Sequence, residues 1–206
     1  KMKKKILYKM IDFWNKDSKI ENSIYVGSYG RKTAIKGFSD LDMIFKLPRH
    51  IYLQYDEYKN NGQSVLLYKV RDSIKKTFGA TDIIQDGQVV VVKFSDNIIF
   101  EVMPAFVNND NIFTFPDSND GGSWRETNPI PEIEAISSMD KKCNYNLKNL
   151  CKMTRAWKDQ WNVPIGGLLI DTLAHNFIKD WNNKDKSYSY YAYLSRDFFK
   201  HLSEQN

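Results

Sequence analysis

The run Asp40-Leu41-Asp42-Met43-Ile44-Phe45 constrains this chain more than any other stretch, because it sets two acids two positions apart in an otherwise apolar segment. Successive side chains of a β-strand point to opposite faces, so a strand here sends Asp40 and Asp42 to one side and Leu41 and Met43 into a core. Two carboxylates on one face repel each other, and hard, oxygen-seeking cations such as Mg2+ relieve that repulsion directly. The polar Lys36-Gly37-Phe38-Ser39 predicts a turn just before the strand, and Pro48 closes it. Upstream, Ile24-Tyr25-Val26 reads as a short strand that runs into Gly27-Ser28-Tyr29-Gly30. Gly27 lets the backbone approach a phosphate closely, and the Ser28 hydroxyl with nearby N–H groups supplies donors for phosphate oxygens. Alone, each half is a Gly-Ser turn or an acidic surface strand. Together, with apolar flanks on both, they point to a site for a nucleoside triphosphate and its metal ions.

Val26 to Phe45 resembles the signature of the DNA polymerase β-type nucleotidyltransferase superfamily: a Gly-Ser turn, a helical spacer, then Asp-x-Asp on a strand. Finer matches resemble one branch, the bacterial cGAS/DncV-like nucleotidyltransferases of the SMODS type. They are Gly27-Ser28-Tyr29-Gly30-Arg31-Lys32-Thr33-Ala34-Ile35 with Ser39-Asp40-Leu41-Asp42, then Phe100-Glu101-Val102-Met103-Pro104-Ala105-Phe106, then Trp124 with Thr127-Asn128-Pro129. Lys152-Met153-Thr154-Arg155-Ala156-Trp157-Lys158 and the closing Arg196-Asp197-Phe198-Phe199 complete the set. The resemblance spans most of residues 10 to 204, and only the first motif is specific by itself. It implies an α+β fold with a polymerase β-like core, a mixed sheet with flanking helices, over residues 1–128. A mostly helical lobe is expected over 129–206, with the active-site cleft between the two. Because related enzymes continue past Arg196-Asp197-Phe198-Phe199, that lobe is expected to be incomplete at its C-terminal end.

Glu101 is the expected third carboxylate. It sits between Phe100 and Val102, so a strand aims it away from an apolar layer, and it matches the family's third acidic position, where Asp is frequent. Asp40, Asp42 and Glu101 are thus the candidate catalytic and metal-binding residues, holding two Mg2+ ions, with Mn2+ as a substitute. Gly27 and Ser28 are candidates for the triphosphate. In the stretch Leu147 to Trp161, Lys148, Lys152 and Arg155 fall on one helical face, and Leu147, Leu150, Cys151 and Thr154 largely on another. Lys152 and Arg155 occupy positions resembling the family's phosphate-contacting cations, whereas Lys148 and Lys158 read as a solvated stripe. Trp124, beside Gly121-Gly122-Ser123, offers an aromatic face to a base, and Ser123 a contact to ribose or base.

The chain of 206 residues, 42% of them hydrophobic, is long enough for a substantial core. No apolar run approaches the roughly 20 residues that span a bilayer, and Tyr8, Lys9, Asp12 and Asn15 interrupt any signal-like region after Lys1-Met2-Lys3-Lys4-Lys5. A cytoplasmic protein with no membrane partner is expected. Cys143 and Cys151, eight positions apart in what reads as one helix, lack zinc-site spacing and are expected to be reduced packing residues; His50, His175 and His201 are scattered. A net charge of +5 suits a partner of polyanions without requiring one.

Periodicity predicts an amphipathic helix over Lys5 to Asn15, a short helix from Tyr29 to Ile35, and another from Val65 to Phe78 that Gly79 ends. Gln88 to Phe94 and Ile98 to Phe106 read as strands of a hairpin turning at Ser95-Asp96-Asn97. Asn108 to Asn128, polar and rich in Gly and Asn, reads as an active-site loop or hinge. Helical patterns follow near Ile133 to Trp161, Gly166 to Trp181 and Ser189 to Glu204.

The resemblance implies a nucleotidyltransferase that joins ATP, GTP or other NTPs through phosphodiester bonds and releases pyrophosphate. On the same ground the product is a cyclic oligonucleotide in anti-phage signalling, read by a downstream effector, with an RNA or protein as activator. Two other readings stay open: transfer of a nucleotide to a drug, a tRNA or a protein, and a non-catalytic nucleotide or RNA sensor. The residues themselves reach nucleotidyl transfer, not cyclisation.

Overall fold

The computed structural model describes residues 22–204 apart from 38, 39, 77, 80, 96, 97 and 111. The helix expected over Lys5 to Asn15, and Ser39 of the acidic motif, lie outside the described residues. The chain divides into two compact units. One comprises the chain up to Val26 together with Asp40–Asn128, the other Gly27–Ser39 together with Pro129–Asn206. Gly27–Ser39, expected in a first unit of residues 1–128, therefore groups with the helices.

The first unit is a sheet with helices on one face. Strand β1 (Ser23–Tyr25) pairs antiparallel with β2 (Leu41–Lys46), and β2 pairs parallel with β5 (Ile99–Val107). On the other side of β5 lie β4 (Val89–Lys93) and then β3 (Asp82–Asp86), both antiparallel. The far end of β5 pairs with β6 (Phe113–Asp117), which pairs with β7 (Ser123–Thr127). Alternation does the sorting: Met43 and Phe45 of β2, Val90 and Val92 of β4, and Phe100 and Val102 of β5 enter one hydrophobic cluster. Helix α3 (Gly62–Lys75) lays Leu66, Leu67, Val70 and Ile74 on that cluster. Its N-terminus is capped by Asn61, whose side-chain oxygen accepts the Ser64 N–H at 2.9 Å.

Three parts of this unit depart from expectation. Helix α2 (Arg49–Asp56) follows Pro48 and buries Ile51 and Tyr55, one turn apart, and neither it nor β3 was signalled by a periodic run. The stretch Asn108 to Asn128, expected as a loop or hinge, is the β6–β7 hairpin. Burial of Phe113 and Phe115 outweighs its polar composition, and the polar residues collect in the turn, where Asp120, Gly121 and Gly122 have φ of 51°, 88° and 95°.

The second unit holds a one-turn helix α1 (Gly27–Arg31), α4 (Ile130–Lys142), α5 (Asn146–Gln160), α6 (Gly167–Asp180) and α7 (Tyr191–Ser203). Ile136, Leu147, Leu150, Ala174, Ile178, Leu194 and Phe198 form its core. The continuous helix expected near Ile133 to Trp161 is broken at Asn144 and Tyr145, whose φ angles are 49° and 63°. The carboxylate of Asp140 bridges the break: its Oδ1 accepts the Lys148 N–H, a free donor in the first turn of the new helix, at 2.9 Å. Cys143 and Cys151 therefore sit on either side of a helix junction rather than in one helix, both buried in the same core as free thiols. Burial pushes both thiols above their ordinary pKa.

Candidate active site

In the parallel ladder of β2 and β5, Asp42 stands directly opposite Glu101. Residues in register on adjacent strands share a face, and here their neighbours Met43, Phe100 and Val102 are all in the core, so both carboxylates point to the other face. Neighbouring strands lie about 4.8 Å apart, which brings two acids side by side. Asp40, exposed, lies two positions before Asp42, just ahead of the first strand residue. Electrostatics agree with the register. Partial burial raises the Glu101 pKa above its ordinary value, and the charges of Asp42, Asp40 and Asp86 raise it further. Among the described residues, no three His, Cys, Asp or Glu side chains are gathered closely enough to hold a metal ion. Asp42 and Glu101 thus share a face, and Asp40 lies near enough for its charge to act on Glu101.

Asp86 did not emerge from the sequence. It ends β3 and joins this acidic surroundings because Ile84 pairs with Val91, and Val91 with Glu101. The signal was present: Asp86-Gly87 between two β-rich runs is a hairpin dipeptide, and Gly87 takes a φ of 54° at the first loop position.

Gly27 has a φ of 55°, in the left-handed region that favours glycine, and Ser28 is buried. The Ser28 carbonyl accepts two N–H groups, from Thr33 at 2.9 Å and Ala34 at 3.2 Å, which folds the segment after the turn back on Ser28. In the sheet unit, the Val26 N–H donates to the Asp42 carbonyl at 3.0 Å.

Trp124 is not brought together with the acids. It packs on the core side of the sheet, its ring 4.8 Å from Tyr52 and 5.7 Å from Phe106, and its Nε1–H donates to Asp56 at 2.9 Å. With Arg49, Tyr52, Asn108 and Glu126 it lines a cavity of about 350 Å3 on that side. Ser123 is exposed at the start of β7, opposite Asp117.

The helical face in α5 is as the spacing predicts: Leu147, Leu150, Cys151 and Thr154 are buried. Its cations have separate fates. Arg155, expected at a phosphate, donates through Nη2 to Asp171 and to the Gly167 carbonyl, each at 2.8 Å. Lys148, expected on a solvated stripe, pairs with buried Asp140 at 3.3 Å and is itself largely buried. Lys152 is half-buried and makes no ion pair with another described residue.

A family model described as the Second Messenger Oligonucleotide or Dinucleotide Synthetase domain, SMODS, matches residues 4–140, more than half of the chain. The chain belongs to the SMODS family. A curated relative, the "Probable cyclic nucleotide synthase" of Bacillus cereus strain VD146, is 19% identical over 84% of this chain, which spans 62% of that relative's length. The cyclic dinucleotide synthase CdnE of Elizabethkingia meningoseptica, solved with GTP and Apcpp, superposes over 98% of this chain and 75% of its own, with a TM-score of 0.69 at 15% identity. CdnC of E. coli MS115-1, solved in complex with HORMA-deltaN, gives 0.68 at 14% identity over 98% of this chain and 63% of its own. At these identities the likeness establishes the α+β fold. The SMODS match takes in Gly27, Ser28, Asp40, Asp42, Glu101, Ser123 and Trp124, and it ends before Lys152 and Arg155. Among the described residues, no helix is long and apolar enough to cross a membrane.

Proposed function

We propose that this SMODS chain is a metal-dependent nucleotidyltransferase that joins NTPs into a cyclic oligonucleotide for antiviral signalling in the cytoplasm. The observation that carries the reading is the parallel register of Asp42 with Glu101 on the non-core face, with Asp40 two residues away. A half-buried glutamate whose electrostatic neighbours are carboxylates fits a divalent cation, because hard oxygen donors of like charge are what Mg2+ and Mn2+ accept. Asp40, Asp42 and Glu101 would hold two such ions, which, when bound, supply charge neutralisation at the triphosphate and a more acidic attacking hydroxyl. Gly27 and Ser28 are assigned to the phosphates on their motif, Gly27 by close backbone approach and Ser28 by its hydroxyl. Lys152 is the better supported cation for phosphate, since Arg155 is already engaged by Asp171. Ser123 keeps its proposed ribose or base contact, and Trp124 that of a base platform, its ring lying on the core side of the sheet. In the reaction a ribose hydroxyl loses its proton to solvent and attacks the α-phosphorus, a new P–O bond forms, the bond from the α-phosphorus to the oxygen bridging to the β-phosphate breaks, and pyrophosphate leaves.

The reading extends to a protein activator, since the structurally similar CdnC is solved with HORMA-deltaN. Incubation of the purified protein with labelled NTPs, singly and in pairs, with Mg2+ or Mn2+, tests it by mass. The expected result is a phosphatase-resistant cyclic product that disappears in Asp40→Ala and Asp42→Ala. Pyrophosphate released only with an added drug, tRNA or protein acceptor would replace cyclisation by transfer to that acceptor. No product with any nucleotide, metal, RNA or protein added would leave the sensor reading.

A further inference from the structure

Asp171 of α6 is 1% exposed, and one of its oxygens, Oδ2, accepts three hydrogen bonds of 2.8 Å. The donors are Arg31 Nε, the Thr33 hydroxyl and Arg155 Nη2. Arg31 is itself 4% exposed and makes a second ion pair, from Nη1 to Glu132 at 2.7 Å. Two guanidinium groups therefore meet two carboxylates, one of them, Glu132, partly exposed, and the charges of the set balance. Gly167 seats this set: a Cβ there would collide with the guanidinium of Arg155. Asp171, Arg31, Thr33 and Glu132 take no part in the proposed chemistry.

Burial of such a group costs desolvation that the ion pairs largely repay without surplus, so gross stability is a poor account of it. Its connections suggest another. Two of the three donors to Asp171 come from the segment just after the Gly-Ser turn, some 140 residues away in the chain. Thr33, fully buried, links the two ends: its hydroxyl donates to Asp171 and its N–H to the Ser28 carbonyl, at 2.9 Å. Only two hydrogen bonds separate the carboxylate from Ser28. We infer that Asp171 is a positioning residue, fastening the Gly27-Ser28 turn to α6 through Thr33 and Arg31 so that the turn is held in one conformation before nucleotide arrives. The inference rests on the assignment of that turn to the triphosphate. Preorganisation of this kind acts on affinity, because an ordered turn has less freedom left to lose on binding.

The test compares wild type with Thr33→Val, Thr33→Ser and Asp171→Asn, reading thermal melting, the Kd for a non-hydrolysable ATP analogue with Mg2+ by calorimetry, and KM and kcat separately. Thr33→Val keeps shape and removes one hydrogen bond; it is expected to weaken analogue binding about 3- to 10-fold and to raise KM with kcat nearly unchanged. Thr33→Ser restores the hydroxyl and is expected to bind as wild type does. Where Asp171→Asn folds, adding Thr33→Val to it should weaken binding little further, since both remove the same link. A Thr33→Val protein with wild-type Kd and KM overturns the inference and leaves the nucleotidyltransferase reading intact. A wild type that binds no NTP overturns the phosphate assignment and this inference with it.

Discussion

Asp171 in the helical unit and Glu101 in the sheet unit are both withdrawn from water, and their surroundings treat them in opposite ways. Asp171 receives three donors, two of them arginines, and Asp140 in the same unit is met by the ammonium and the N–H of Lys148. The charges acting on Glu101 are those of Asp42, Asp40 and Asp86. A carboxylate supplied with cationic donors has its charge met within the fold, whereas one held among like charges retains an unmet electrostatic demand that a cation or a proton can satisfy. The contrast separates scaffold acids from site acids without reference to any relative.

Exchange of one acid in each unit should give the largest effects and the clearest break. Asp42→Asn is expected to lower product formation by roughly 1000-fold or more while leaving the melting temperature unchanged or raised, because it removes a metal ligand and a source of repulsion together. Asp171→Ala is expected to destabilise the fold by about 3–5 kcal/mol, since two buried guanidinium groups lose their shared partner. Denaturant unfolding of both variants beside a turnover assay checks the pair. Should Asp42→Asn unfold as Asp171→Ala does, the acids of the sheet would be structural and the distinction would collapse.

The same contrast marks what could be read from the chain. The facing of Asp42 and Glu101 was legible because strand alternation is local: apolar neighbours on one face fix where the acid points. The parallel pairing that sets Asp42 beside Glu101 was not, since register between strands almost sixty residues apart depends on the whole sheet. Asp86 was hidden only by an unread Asp-Gly hairpin. Helical spacing gave the apolar face of α5 correctly but not the acids that Lys148 and Arg155 meet, which are not on that helix. Periodicity tells which way a cation faces, not which acid waits there. Composition failed over residues 108–128, where Phe113 and Phe115 outweighed the polar count.

Asp117 sharpens the comparison, because it lies in the sheet unit yet is equipped like Asp171. Fully buried, it accepts the N–H of Asn119 and the side-chain amides of Asn119 and Gln88, and it pairs with Arg125 Nε at 2.6 Å. The backbone hydrogen bond from Asn119 leads the effects that hold its pKa below the ordinary carboxylate value, against the opposing effect of burial. For a lowered pKa the contribution to stability is complete above the unfolded-state value and is lost as pH falls through the folded one. Asp117→Asn should therefore cost about 2 kcal/mol near neutral pH, and its deficit should fade below the ordinary carboxylate range in an acid-unfolding series. A deficit that persists undiminished below that range would mean that donors, not charge, account for the site.

Glu101→Gln carries the smallest expected shift in stability and the most diagnostic sign. With its pKa raised in the folded state, Glu101 contributes stability that is complete below its unfolded-state value and is lost as pH rises through the raised one. Neutral glutamine has no such loss. In chelator the variant should melt on the order of 2 °C above wild type at neutral pH, and the gap should close as the solution is acidified. Mg2+ should raise the wild-type melting temperature and close the gap from the other side, since the cation binds the ionised site of the folded chain only. Catalysis should be lost throughout, so stability and activity move in opposite directions. A Glu101→Gln protein that melts below wild type at neutral pH in chelator would show that some group compensates this carboxylate as Asp171 is compensated, and the reasoning that makes the sheet face a cation site would fail at its centre.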